Sequence, residues 1–218
     1  MFNHIPIKIN HLIESAHEEN KHYYKIDQMF KFPSITTILH SFPNEGINIW
    51  KRKTPNWEEI QKESFKIGTD LHSTIEAHLK NNPFLPLLND KAYELFCNLI
   101  PELDKINNIQ CLETYLYEPE LKIAGCTDCI AEYEGEKCII DFKNSRKPKR
   151  EKWINDYKLQ VTAYSKMFEY CTEQKIDLGI ILIANWDGST DVFKVNIPDH
   201  EENLINMLDY YYSEIKHD

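Results

Sequence analysis

Two aspartates and a lysine stand out in the stretch AGCTDCIAEYEGEKCIIDFKNS, residues 124–145. Asp128 and Asp141 each sit in an apolar run where a buried strand would carry valine or isoleucine, and Lys143 follows Asp141 by two positions. If the runs form a hairpin turning at Glu134-Gly135 through a two- or four-residue loop, Glu132 faces Lys137 and Asp128 faces Asp141. Facing residues share one side of a sheet, with Cβ atoms ~4.5–5.5 Å apart. Alternation along the strand puts Lys143 on that side as well. Two carboxylates so close repel one another, so either one takes a proton or a cation lies between them, and a hard divalent ion with oxygen ligands is the natural solution. A lysine beside such a pair can hold an attacking water or stabilise developing negative charge. That chemistry suits hydrolysis of a phosphodiester better than acyl transfer, for which no Gly-x-Ser-x-Gly or paired Cys/His arrangement is present. A one-residue change in the loop would put the faces of the two strands out of step.

The flanking sequence supplies the elements that must position these groups. Residues 22–26 and 29–32 flank Asp27-Gln28 as a short hairpin, and Pro33-Ser34 provides an N-cap before a helix beginning at Ile35. Ile60, Ile67, Leu71, Ile75 and Leu79 recur near helical period and predict a core-facing helix over residues 57–79, with Gly68 its weak point and a place for close approach. A second helix is expected over residues 91–100, closed by Pro101. Strands are expected over residues 112–117, 123–133 and 137–143, a helix over 154–171, a strand pair over 178–186 and 190–197 joined through Asp187-Gly188, and a closing helix over 201–215. This order predicts a mixed α/β (α+β) sheet packed by helices, in one domain overall.

With 218 residues, 42% of them hydrophobic, the chain is large enough to bury a core. The longest apolar run, residues 180–184, is too short to cross a bilayer, and the first residues resemble no signal peptide, so a soluble intracellular protein is expected. The six cysteines lack a secretory setting and read as reduced thiols. A net charge of −10 argues against a protein that coats nucleic acid generally. It is compatible with a local basic site: Arg146, Lys147, Lys149, Arg150 and Lys152 follow Lys143 closely and read as phosphate contacts.

Gly125-Cys126-Thr127-Asp128 followed by Asp141-Phe142-Lys143 resembles the Gly-x-x-Asp and Asp/Glu-x-Lys motifs of the PD-(D/E)XK nucleases, within the RecB-like exonuclease group. FPSITTIL (residues 32–39), GTDLH (68–72) and LQVTAY (159–164) match further blocks of that family in the same order. The resemblance covers roughly residues 32–171. It implies a restriction-endonuclease-like core of helix-strand-strand-strand-helix-strand over residues 57–218, with a hairpin and helix extension over residues 1–56. It implies Mg²⁺ or Mn²⁺ held by His72, Asp128, Asp141 and the carbonyl of Phe142, with Asp128, Asp141 and Lys143 catalytic. Glu76, on the helical row of Gly68 and His72, and Glu113 are secondary acidic candidates. Gln160 and Tyr164, one turn apart, are implied to help place DNA beside the catalytic groups, with Ser145, Arg146, Lys147, Lys149 and Arg150 as further DNA contacts. The name-giving proline is replaced by Thr127, and Asn144-Ser145 stands where Thr-Ser is usual.

Some RecB-like nucleases carry an iron–sulfur cluster. None is expected here, because Cys126 and Cys129 have opposite parity on one strand and no C-terminal cysteine triplet follows. The expected substrate is DNA, single-stranded or with free ends, and the expected partners are replication or recombination proteins in the cytoplasm of a bacterium or a phage-infected cell. A structure-specific endonuclease on the same fold, a binding module with an inactive site, and an RNA nuclease are the open alternatives.

Overall fold

An interior strand that is buried along all but its first residue needs cover on both faces, and β7 (Leu178–Asn185), with sequence LGIILIAN, is that strand. In a computed structural model describing residues 1–18, 21–84, 86 and 89–215, it sits in a five-stranded sheet of order β4-β5-β6-β7-β8. β4 (Ile106–Glu118), β5 (Ile123–Tyr133) and β6 (Glu136–Ser145) form an antiparallel meander. The chain then crosses through α5 (Asn155–Thr172) to place β7 parallel to β6, and β8 (Thr190–Asn196) returns antiparallel.

One face of the sheet packs α3 (Trp57–Leu79) and α4 (Asp90–Leu103) through Ile67, Leu71, Leu95, Leu99, Ile140 and Phe142. The other packs α1 (Ile35–Ser41), α5 and α6 (Glu201–Tyr210) through Ile38, Ile130, Ile139, Phe168 and Leu204. The expected mixed α/β sheet and its helix-strand-strand-strand-helix-strand order are therefore the observed architecture. Among the described residues no helix is long and apolar enough to cross a membrane.

The expected hairpin around Asp27-Gln28 is formed by β2 (Lys21–Ile26) and β3 (Phe30–Pro33), and Ser34 caps α1 by accepting from the Thr37 amide at 3.0 Å. Several elements depart from the sequence reading. β1 (Ile13–Glu18) adds a third strand to that hairpin, and α2 (Glu45–Lys53), capped by Asn44, buries none of its residues. α4 does not stop at Pro101 but runs through it to Leu103. The proline faces solvent, and the burial of Leu99 and Leu103 holds the last turn. β4 begins at Ile106 rather than residue 112, with a bulge between Asn107 and Cys111, and the closing helix changes to a π turn over Tyr211–Ile215.

Candidate active site

The acids stand where the ladders of three neighbouring strands break. The β5–β6 turn is the two-residue Glu134-Gly135, both at positive φ (52° and 84°). Glu132 pairs with Lys137, as the sequence predicts, and the ladder runs to Cys129 opposite Ile140. Continuing that register one step would pair Asp128 with Asp141, but backbone pairing ends there. Instead Asp128 Oδ2 accepts from the Phe142 amide at 2.8 Å, so a side chain replaces the ladder bond. On the other side, Leu112 pairs with Cys129 and Thr114 with Thr127, while Glu113, between them, does not pair. Glu113 takes φ 45°, a conformation that a residue with a side chain adopts only when its surroundings impose it, and one that clusters at functional sites. Glu113, Asp128 and Asp141 thus occupy one line across β4, β5 and β6.

Asp141 is fully buried, and the Lys143 ammonium lies 2.7 Å from its Oδ1 and 2.6 Å from its Oδ2. From α3, His72 brings Nδ1 to 3.6 Å from Asp128 Oδ1 and 3.9 Å from Glu113 Oε1. Ligand atoms of His72, Glu113 and Asp128 all fall within 4.8 Å of one another. Burial pushes the Asp141 carboxyl above the ordinary carboxylate range, a shift that Lys143 opposes and Asp128 reinforces. Burial would depress the His72 imidazole, but Asp128 and Glu113 overturn that and raise it to about 9. Lys143 is likewise raised, because Asp141 and Asp128 outweigh its desolvation. An ammonium and an imidazolium therefore oppose the charge of the three acids.

This donor set fits a divalent cation. It offers one imidazole nitrogen and carboxylate oxygens, and Oδ1 of the nine-tenths buried Asp128 faces His72 at 3.6 Å, with no hydrogen bond to it among the described residues. Gly125 has a separate role. A Cβ there would meet Tyr164 Cε1 at 2.7 Å, so glycine lets the Tyr164 ring approach β5 closely. Tyr164 receives a 3.0 Å hydrogen bond from Gln160 Nε2, and both side chains are buried on α5 next to the acids. Gly68 similarly leaves room for Asn144, whose Nδ2 would lie 3.1 Å from an added Cβ.

A cleft of about 610 Å³ opens over the group, lined by His72, Glu76, Glu113, Lys143, Tyr157 and Gln160 among others. Glu76 is tied to Lys80 by an ion pair, so it flanks the cleft rather than joining the acids. An adjoining cleft runs between α2 and the segment before α5, where Trp50, Lys149, Lys152 and Trp153 line it. Of the basic run, Arg146 is engaged by Glu63 at 2.7 Å and by the Trp186 ring, and Arg150 lies over Trp153. Lys147 is exposed, and the Lys149 amide donates to Asp191 at 2.7 Å. Ser145 is buried, and its hydroxyl closes a turn with Lys147 at 2.7 Å. The sequence reading did not single out Asn144 as a neighbour of Gly68, nor the stacking of Tyr157 on Lys143 at 5.3 Å. The i, i+14 spacing from Lys143 to Tyr157 carries no signal of such a contact.

A mixed sheet with one parallel crossover, burying Asp128 and Asp141 beneath a cleft that Lys143 lines, is the α/β nuclease arrangement that the PD-(D/E)XK and RecB-like resemblance implies. More particularly, the chain is a relative of mitochondrial genome maintenance exonuclease 1. It is 30% identical to the Mus musculus protein over 181 residues, 74% of this chain and 52% of that protein. It is 35% identical to the Xenopus tropicalis protein over 178 residues, 72% of this chain and 49% of that protein. The chain thus spans about half the length of the curated relatives it matches. A solved structure from Eubacterium rectale, provisionally assigned as an exonuclease, is 12% identical, with a TM-score of 0.49, over 70% of this chain and 66% of that one. No family model matches the chain. The curated relatives carry a mitochondrial name and come from vertebrates, and they give no support to a bacterial or phage setting.

Proposed function

We propose that this chain is a metal-dependent deoxyribonuclease that removes nucleotides from free, preferably single-stranded, DNA ends during replication, repair or recombination. The observation that carries this reading is the convergence of His72, Asp128, Asp141 and Lys143 at the point where the β4–β5–β6 ladders break. The exonuclease names of the relatives support the reaction class.

His72, Asp128, Asp141 and the Phe142 carbonyl would hold Mg²⁺ or Mn²⁺, with Glu113 close enough to contribute. When bound, such a cation supplies positive charge to the phosphate and acidifies water. The chain's own groups do the rest. Lys143 lines the cleft, its ammonium aimed by Asp141 and backed by the Tyr157 ring, and it holds the attacking water and offsets charge at the phosphate. Water adds to phosphorus, the ester bond to the leaving sugar oxygen breaks, and that oxygen takes a proton. Gln160 and Tyr164 set the wall against which the strand lies. Lys149 and Lys152 meet phosphates approaching along the adjoining cleft, with the exposed Lys147 and Arg150 on the same segment, while Arg146 and Ser145 shape the loop that carries them.

The test is to incubate wild type and Lys143→Ala with end-labelled single-stranded, double-stranded and circular DNA, and with RNA, in Mg²⁺, Mn²⁺ or chelator. Shortening of linear single strands alone, abolished by chelator and by the substitution, is expected. Circles cut as fast as linear strands would refute the end-dependent mode. Activity that survives chelator or Lys143→Ala would refute the mechanism.

A further inference from the structure

α2 buries none of its residues, yet it carries Ile47 and Trp50, three positions apart on one side of the helix, and these stand 48% and 39% exposed in the lining of the adjoining cleft. Large apolar side chains kept in solvent and gathered at a cleft mark a surface that a ligand covers. Trp153, 55% exposed, lines the same cleft from the segment before α5. The space between them is about 630 Å³, and it shares Thr36, His40, Tyr157 and Gln160 with the cleft over the acids, so the two are continuous. Lys149 and Lys152 also line it, against Asp156 as the acid among its lining residues, in a chain whose net charge is −10. The Arg150 guanidinium lies 5.3 Å from the centre of the Trp153 ring. Flat rings set among cations, leading into a phosphodiester-cutting centre, match a strand of unpaired bases, in which each base offers a face for stacking and each linkage a negative charge. A duplex keeps its base faces stacked on one another and offers none to the indoles.

We infer that Trp50 and Trp153 form a nucleobase-stacking subsite, which receives unpaired bases of the strand whose end lies at the acids and is the source of the preference for single strands. The inference rests on the nuclease reading above. Phosphates pass Lys149 and Lys152 while the bases turn onto the two indoles. Lys143 lines the neighbouring cleft and not this one, so the rings act on nucleotides away from the bond that is cut. They position the strand and take no part in the proton transfers. Every base has a face to stack, so the subsite accepts any sequence.

Binding in chelator tests this, with a fluorescently labelled DNA single strand and a strand of the same length built from abasic nucleotides. Trp50→Ala and Trp153→Ala should each bind the normal strand about 5–150-fold more weakly than wild type, the scale of one lost stacked base. Trp50→Phe and Trp153→Phe should recover most of that affinity. The dependence on salt should stay that of wild type, because no phosphate contact is lost. Wild type should bind the abasic strand as weakly as the double alanine variant binds the normal one, and the substitutions should change abasic binding little further. Circular dichroism and thermal unfolding establish that the variants are folded. An abasic strand bound by wild type as tightly as the normal strand, a result that needs no variant, would overturn the stacking subsite alone. Alanine variants that lose the same factor on both strands would do the same. Failure of wild type to shorten any single strand in Mg²⁺ or Mn²⁺ would instead overturn the nuclease reading beneath it.

Discussion

Replacing Lys143 by methionine separates the role of the lysine in holding Asp141 from its role in chemistry. Asp141 is fully buried, and the Lys143 ammonium touches both of its oxygens. Methionine keeps the apolar stem and removes the only side chain cation described against that carboxylate other than His72, which acts at longer range. Breaking a buried ion pair by deleting one partner is worth about 3–5 kcal/mol when the remaining charge stays ionised. For a domain of this length that corresponds to a fall in Tm of roughly 6–20 °C, at 2–4 °C for each kcal/mol. The pH dependence fixes the sign. The folded protein already holds the Asp141 carboxyl above its unfolded value, and losing Lys143 raises it further. A carboxyl raised in this way is tolerated when protonated, so stability is lost as pH climbs from the unfolded value near ~4 through the folded one, at up to ~1.4 kcal/mol per pH unit. In chelator, the variant should lie within ~1 kcal/mol of wild type near pH 5 and fall behind by up to ~3 kcal/mol near pH 8, two pH units above the wild-type Asp141 value of about 6. Urea unfolding at both pH values measures this. Asp141→Asn combined with Lys143→Met should recover most of the loss, a non-additivity of roughly 2–3 kcal/mol. Nuclease activity should fall about 10²–10³-fold irrespective of pH, the scale of losing one well-placed donor to a developing anion. A gap that is the same at pH 5 and pH 8, or smaller than ~1 kcal/mol at both, would refute the view that Lys143 neutralises a buried Asp141.

Four further outcomes follow from the same geometry. Gly125→Ala drives a Cβ to 2.7 Å from the Tyr164 ring and should destabilise the fold by ~1–3 kcal/mol in urea titrations, with activity falling because Tyr164 is displaced beside the acids. Ser34→Ala removes the α1 cap and should lower stability by ~0.5–2 kcal/mol without changing metal affinity. In chelator, the His72 imidazole, raised to about 9, favours the fold below its unfolded value near ~6.5, and that contribution is lost as pH rises through 9. His72→Asn should therefore flatten the Tm profile across this interval. Lys147→Ala and Arg150→Ala should each weaken single-strand binding uniformly across sequences and reduce the salt slope by ~0.7, whereas Arg146→Ala, which frees Glu63 and Trp186, should register in stability as well.

What the sequence revealed, and what it concealed, divides along one physical line. Periodicity reads burial, so α3, β5 and β7 were legible to within a residue, because each buries a continuous stripe. α2 is a nine-residue helix that buries nothing, and β1 is an edge strand with no buried residue that exists by pairing with β2, so neither contributes a core stripe to read. Pro101 is a stop signal for an isolated helix, and it was outweighed by Leu103, which enters the core two residues later, one turn after the buried Leu99.

The candidate site divides in the same way. Register follows from the turn, and Glu134-Gly135 makes the tightest turn possible, so the opposition of Asp128 and Asp141 could be counted from the chain. Glu113 could not be placed by counting. Its membership depends on a left-handed residue interrupting β4, and an acidic side chain gives no warning that its backbone will leave the ladder. That interruption is also what lets three acids lie side by side. A continuous ladder would hold Glu113, Asp128 and Asp141 at fixed cross-strand spacing, with every backbone group satisfied by its neighbours. Here the Phe142 amide instead donates its hydrogen bond to Asp128, and that bond fixes one oxygen of the carboxylate while leaving the other to face His72. Removing it by Asp128→Ala should therefore leave a buried amide unpaired, a loss of about 1–3 kcal/mol, whereas Asp128→Asn, which can still accept at that position, should keep the fold and lose the cation. If the two substitutions destabilise equally, the carboxylate is not the bridge between the broken ladder and the site.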